Sequence, residues 1–125
     1  DWLARGLVRL MKLSESDREA LSAKFRRGLS NNLSVFKQHA FRKHRLTGQA
    51  RSILNASLFD VMMFEMCQLD EELVAAKAAV LREAFYARMD DERFKKAITY
   101  GPNTPNEVRT RFRIANEMFR EVFNA

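Results

Sequence analysis

Glycine, proline and cysteine are scarce in this chain: four, two and one of 125 residues. So few turn-formers cannot punctuate the many short strands of a sandwich or barrel, and they exclude a linker-rich chain. One cysteine, Cys67, excludes an internal disulfide framework. No apolar run reaches the ~20 residues that a bilayer core requires. The opening stretch DWLARGLVRLMK is interrupted by Arg5 and Arg9, which excludes the apolar centre of a signal peptide. These absences predict a cytoplasmic chain with no membrane partner. The first residue is Asp1 rather than Met, which reads as a piece of a longer protein.

What is present is the composition of a packed domain, 46% hydrophobic and 30% charged. A single domain of this size buries roughly two-thirds of its unfolded surface. Charge is segregated. Residues 20–59 hold eight basic side chains (Lys24, Arg26, Arg27, Lys37, Arg42, Lys43, Arg45 and Arg51) and no acid. Acids and bases nearly balance in the remaining residues, so the whole net charge of +6 resides in that one segment.

Apolar spacing is helical almost throughout, and no strand alternation or internal repeat interrupts it. A first helix over about 2–13 groups Leu3, Leu7, Leu10 and Met11. Ser14 begins S-E-S-D, an N-cap with an acid three residues on. The helix it starts, about 15–36, carries a stripe of Leu21, Phe25, Leu29, Leu33 and Phe36, expected to be core. Gly28 and the Asn31-Asn32 pair are expected to kink or split it. Residues 37–49 read as a connection with one short turn of helix. A third helix, about 50–67, is apolar nearly all round (Ile53, Leu54, Leu58, Phe59, Val61, Met62, Met63, Phe64, Met66) and is expected to be central. Asp70 caps a fourth over about 71–89, with Leu73, Val74, Val80, Leu81 and Phe85 inward. Asp90 caps a short one over 91–99. Thr104, Pro105 and Glu107 mark the start of the last, about 105–123. The fold class is all-α: a compact bundle of about six helices over 14–125, preceded by a linker-like helix over 1–13.

Catalytic signals are thin. His39 and His44 read as basic-patch residues, Cys67 as a small core residue, and Asp90-Asp91-Glu92 as a capped helix start rather than a metal site. No catalytic residue, metal or cofactor is assigned. At 100° per residue, Asp60 falls among Ile53, Ala56, Phe64 and Cys67. Arg111 falls among Ala115, Met118 and Val122. Buried charges need partners, so the two are expected to meet as a structural ion pair between the third and last helices. The functional alternative makes Asp60 an active-site acid, which needs a pocket and a second titratable group. Lys77 falls on a largely apolar face, from which its stem can reach water. In the acid-free segment, Lys37, Arg42, Lys43, Arg45 and Arg51 are close enough to converge on phosphate, with Phe36 and Phe41 interleaved. The plainer reading is a solvated basic corner.

Four motifs in order carry a family resemblance: A-F-R at 40–42, R-x-x-x-N-x-x-L-F-D at 51–60, D-x-x-F-x-x-A-I at 91–98 and V-R-x-R-F at 108–112. Together they resemble the C-terminal helical region of the bacterial domain-of-unknown-function family numbered two-six-two, related to GmrSD-type modification-dependent restriction proteins. The resemblance covers roughly 36–123. It implies a parent with an N-terminal ParB/sulfiredoxin-like, nucleotide-hydrolysing domain bearing an Asp-Gly-Gln-Arg-type motif, acting in defence against phage DNA. Neither that motif nor an HNH nuclease signature occurs in this chain. The expectation is therefore a non-catalytic scaffold that packs on the parent's catalytic domain or self-associates. Such a scaffold should expose an apolar patch, expected around Trp2, Leu3 and Leu7. The alternative is a nucleic-acid-binding module, for DNA or RNA, that uses the basic segment.

Overall fold

Ser14 sets the longest helix. Its backbone is extended (φ −65°, ψ 162°), and its hydroxyl accepts the Asp17 amide at 3.1 Å while Glu15 and Asp17 face the positive helix end. The structure, a computed structural model, describes residues 2–43, 53–99 and 103–124. Among these the helices are α1 (Trp2–Met11), α2 (Glu15–Phe36), α3 (Ala56–Met66), α4 (Glu71–Ala76), α5 (Ala78–Arg88), α6 (Glu92–Thr99) and α7 (Pro105–Phe123). A 3-10 turn, Lys37–His39, follows α2. The described residues contain no strand, and the helices pack as an all-α bundle. None of them is long and apolar enough to cross a membrane.

Gly28 and the two asparagines do not split α2, which runs unbroken for 22 residues. They are where it meets α3. A Cβ on Gly28 would lie 3.1 Å from the Met63 methyl, 3.2 Å from Cys67 Cβ and 3.3 Å from the Met63 carbonyl, so any larger residue here must displace its neighbours on α3. Asn31 and Asn32 are 1% and 0% exposed. Asn31 Nδ2 donates to the carbonyls of Met66 (2.9 Å) and Leu69 (3.0 Å). Asn32 Nδ2 donates to the Gly28 carbonyl at 2.8 Å.

The stripe expected to be core is corrected. Leu21, Phe25 and Leu33 are 49, 51 and 47% exposed. An i, i+4 repeat advances 40° per step, so the stripe winds around the helix instead of holding one face. The face that packs is Gly28–Asn31–Asn32–Val35, and the N-terminal half of α2 continues beyond it. At the C-terminal end of α2, Phe36 meets Phe85 and Tyr86 edge-on, with ring centroids at 4.9 and 6.1 Å.

α3 lies between α2 and α7, and α6 packs on α7. Its start differs from the expected one. Asn55 is the cap, its Oδ1 accepting the Leu58 amide at 2.9 Å, so Ile53 and Leu54 precede the helix and stand 87 and 62% exposed. Leu58, Val61, Met62 and Met66 are buried as a central helix requires, but Phe59 and Phe64 are 37 and 53% exposed. The expected single helix over 71–89 is divided at Lys77 (φ −108°, ψ 16°), and Val80 is exposed. The α6 cap is Asp91 rather than Asp90: Asp91 Oδ1 accepts the Arg93 amide at 2.9 Å. α7 begins at Pro105 as the T-P-N-E spacing predicts. Residues 100–102, where Tyr100-Gly101-Pro102 was expected to end α6, lie outside the described residues.

Candidate interaction groove

α3 and α7 are joined by three contacts that ascend together, so the two helices run in the same direction. Arg111 Nη2 lies 3.7 Å from Asp60 Oδ2. One turn on, Phe64 meets Phe112 edge-on at 5.6 Å. Asn116 Nδ2 then donates to Glu65 Oε1 at 3.1 Å. The ion pair expected between Asp60 and Arg111 thus has its two groups together, but not both buried. The Arg111 side chain is 4% exposed and the Asp60 side chain 58%. The apolar neighbours that α3 gives Asp60 are themselves exposed, Phe64 above all. Arg111 Nη1 also donates to the Ala97 carbonyl at 3.5 Å, which binds α7 to the end of α6.

Between the protruding half of α2 and the α3–α7 pair lies a groove of about 520 Å³. Leu21, Phe25, Phe59, Met63, Phe64 and Phe112 line it, with Cys67, and Lys24 and Asp60 are its charged groups. Cys67, read from sequence as core, is half-buried here, its thiol 3.3 Å from the Phe64 carbonyl. Asp60 also lines a second cleft of about 760 Å³ with Asn103, Arg109 and Arg111. The charged residues beside Asp60 in that lining are Arg109 and Arg111. No three His, Cys, Asp or Glu side chains gather as a metal site among the described residues.

Of the basic segment, Lys24, Arg26 and Arg27 lie on α2, and Lys37, Arg42 and Lys43 follow it. Lys37 is exposed and has a positive φ of 53°, a strained backbone for a side-chain-bearing residue. Arg42 Nε donates to the Gln38 carbonyl at 3.1 Å, and Lys43 Nζ to Thr99 Oγ1 at 2.6 Å. His39 is half-buried rather than solvated. Arg45, Arg51 and His44 lie outside the described residues. One further group has its pKa shifted: a hydrogen bond from Arg93, 3.4 Å away, holds the Asp91 carboxyl below the ordinary carboxylate value.

Sequence reading missed the groove because its lining residues were assigned to the core. The legible signal was an excess: Phe59 and Phe64 extend the apolar surface of α3 beyond one core-facing stripe. It also missed that Lys77 Nζ donates to the Val122 carbonyl at 2.8 Å rather than reaching water. Comparison with protein-family models, curated proteins and solved structures found no match for this chain. Fold and geometry define its class as an all-α domain with an open, aromatic-lined groove.

Proposed function

We propose that this chain is a non-catalytic assembly domain whose α2–α3–α7 groove receives an amphipathic helix of a protein partner. One observation carries the reading. Leu21, Phe25, Phe59 and Phe64 surround a groove of about 520 Å³, each 37–53% exposed. Aromatic side chains beside a few charges are the composition of binding hot spots, and an apolar trough between helices suits helix-in-groove recognition. In the family the sequence resembles, such a domain accompanies a nucleotide-hydrolysing domain in defence or restriction proteins. That context makes a neighbouring protein element the natural partner. The test is a titration with amphipathic helical peptides that differ in apolar spacing, read by NMR of the Met63 methyl. Binding at the micromolar level, lost in Phe64→Asp, is expected. Failure of every peptide to perturb the groove overturns the reading.

A second reading, DNA or RNA binding, is favoured by one feature: Lys37, Arg42 and Lys43 lie close together in sequence, within residues 37–43 of the acid-free segment. Its test is nucleic-acid affinity across a salt series, compared with a variant carrying Gln at Lys37, Arg42, Lys43, Arg45 and Arg51. A steep salt dependence that becomes shallower in the variant supports it. No binding at low salt removes it.

A further inference from the structure

Among the described residues, a ridge and a groove present apolar side chains to solvent. The ridge is α1. Leu3, Leu7 and Leu10, at helical spacing, are 56, 52 and 48% exposed, and Met11 is 76% exposed. The groove is the α2–α3–α7 trough, whose Phe25 and Phe64 are each about half exposed. A ridge of side chains on one helix packing between two others is the ordinary geometry of helix association.

Charge points to the occupant. Arg5 and Arg9 are the ionisable residues of α1 and Lys12 follows it, so the polar side of the ridge is wholly cationic. The first turns of α2, leading to the groove, carry exposed Glu15, Asp17 and Glu19 against Arg18 alone. The chain therefore bears a cationic apolar ridge and an apolar groove whose own charges, Lys24 and Asp60, balance, with three acids and one arginine on the turns of α2 before it. An anionic bilayer also attracts a basic amphipathic helix, but those three acids at the next helix's head oppose it.

One hydrogen bond at the joint favours another molecule's groove over the chain's own. Arg18 Nη2, on α2, donates to the Met11 carbonyl at the end of α1 at 3.2 Å. Folding α1 back into its own groove pulls on this bond, whereas docking into another molecule's groove leaves it in place. We propose that α1 of one copy docks in the α2–α3–α7 groove of a second copy, reciprocally, giving a twofold dimer with both ridges and both grooves filled. This rests on the reading of the groove as a helix-binding site.

Cys67, the chain's single cysteine, lines the groove and makes the test specific. In a Leu7→Cys variant, mild oxidation with diamide should link the introduced thiol of one copy to Cys67 of the other. The product is a covalent dimer, located by peptide mass mapping. Phe64→Asp added to that variant should reduce the link at least tenfold. Unmodified protein should shift from monomer to dimer between about 1 and 100 μM in sedimentation, the range of a modest interface. The emission of Trp2, the single tryptophan, should move to shorter wavelength over the same range. An intrachain link overturns the proposal in favour of cis closure. A monomer at all concentrations overturns it as well, and so does an emission shift seen only with anionic vesicles. If peptides still enter the groove of a chain that stays monomeric, the assembly reading survives and the second-copy partner does not.

Discussion

Gly6 and Gly28 are the same residue in mid-helix and should respond oppositely to substitution. A Cβ at Gly6 would meet nothing within 4 Å, so Gly6→Ala should simply add helix propensity, about 1 kcal/mol within α1, read as increased helicity by circular dichroism. At Gly28 a larger side chain must push against Cys67 and the Met63 carbonyl, and Gly28→Leu should cost on the order of 3 kcal/mol in urea unfolding. The Asp60–Arg111 pair is asymmetric for a related reason, that of burial. Asp60 is mostly solvated, so Asp60→Asn should cost less than about 1 kcal/mol. Arg111→Ala removes a packed stem and leaves the Ala97 carbonyl short of a donor, which should cost on the order of 3 kcal/mol. Asp91 gives a pH signature. Its folded-state pKa is depressed by Arg93, so its contribution is present above the ordinary carboxylate value near 4 and lost as pH falls through the lower folded value. Protection factors of α6 amides, corrected for the intrinsic pH dependence of exchange, should drop over that fall, and not in Asp91→Asn. Periodicity made the Asp60–Arg111 proximity legible because each charge sits at an apolar azimuth. It could not show which of the two is solvated, because that depends on how far the neighbouring helices extend.

Helix ends show how this chain manages with four glycines. α2, α3 and α7 are followed by Lys37, Cys67 and Asn124, none of them the glycine that most easily turns a C-terminus. Their last carbonyls, unpaired within the helix, are taken instead by side chains from elsewhere in the bundle. Arg82 Nε donates to Val35 at 3.1 Å, Asn31 to Met66 at 2.9 Å and Lys77 to Val122 at 2.8 Å. Asn55 does the same for Ile98 of α6 at 3.0 Å, while capping the start of α3. Capping and tertiary packing are thus one set of bonds, and a helix cannot leave the body without exposing its end. Helix starts were largely legible because Ser14 and Asp70 cap within their own segment and Pro105 takes the first position of α7. These ends were not, since their donors lie 35 to 47 residues away. Asn31→Asp tests the arrangement, as it keeps the volume and replaces the donor by an anion facing two carbonyls. About 3 kcal/mol or more should be lost at neutral pH. Burial against carbonyls raises that carboxyl's folded pKa, so the native state binds the extra proton. Stability of the variant should therefore rise as pH falls toward the ordinary carboxylate value, because the protonated group donates again. A variant equally unstable across that range contradicts the bonding role.

At the scale of the whole molecule the chain divides into a body and an arm. The body's fold class was readable because helical apolar spacing runs through nearly every segment and no strand alternation interrupts it. Which apolar surface stays open was not, since α2 and α3 each carry more apolar residues than one interface can cover and only the packing chooses among them. Phe85, Phe94 and Met118 are buried in the body, whereas the large apolar residues of α1 from Leu3 to Met11 are 47–76% exposed. An element with so little burial cannot contribute much to the body's stability, whatever its own helicity. Deleting residues 1–13 should therefore leave the free energy of urea unfolding of a dilute sample within about 0.5 kcal/mol of the intact chain. Concentrated samples should behave differently. If α1 fills the groove of a second copy, association binds only folded chains and raises the unfolding temperature with concentration. The truncated chain should lose that concentration dependence entirely while keeping the dilute value. A loss of stability already present in dilute solution would place α1 in the body and contradict both its exposure and its role as an exchanged arm.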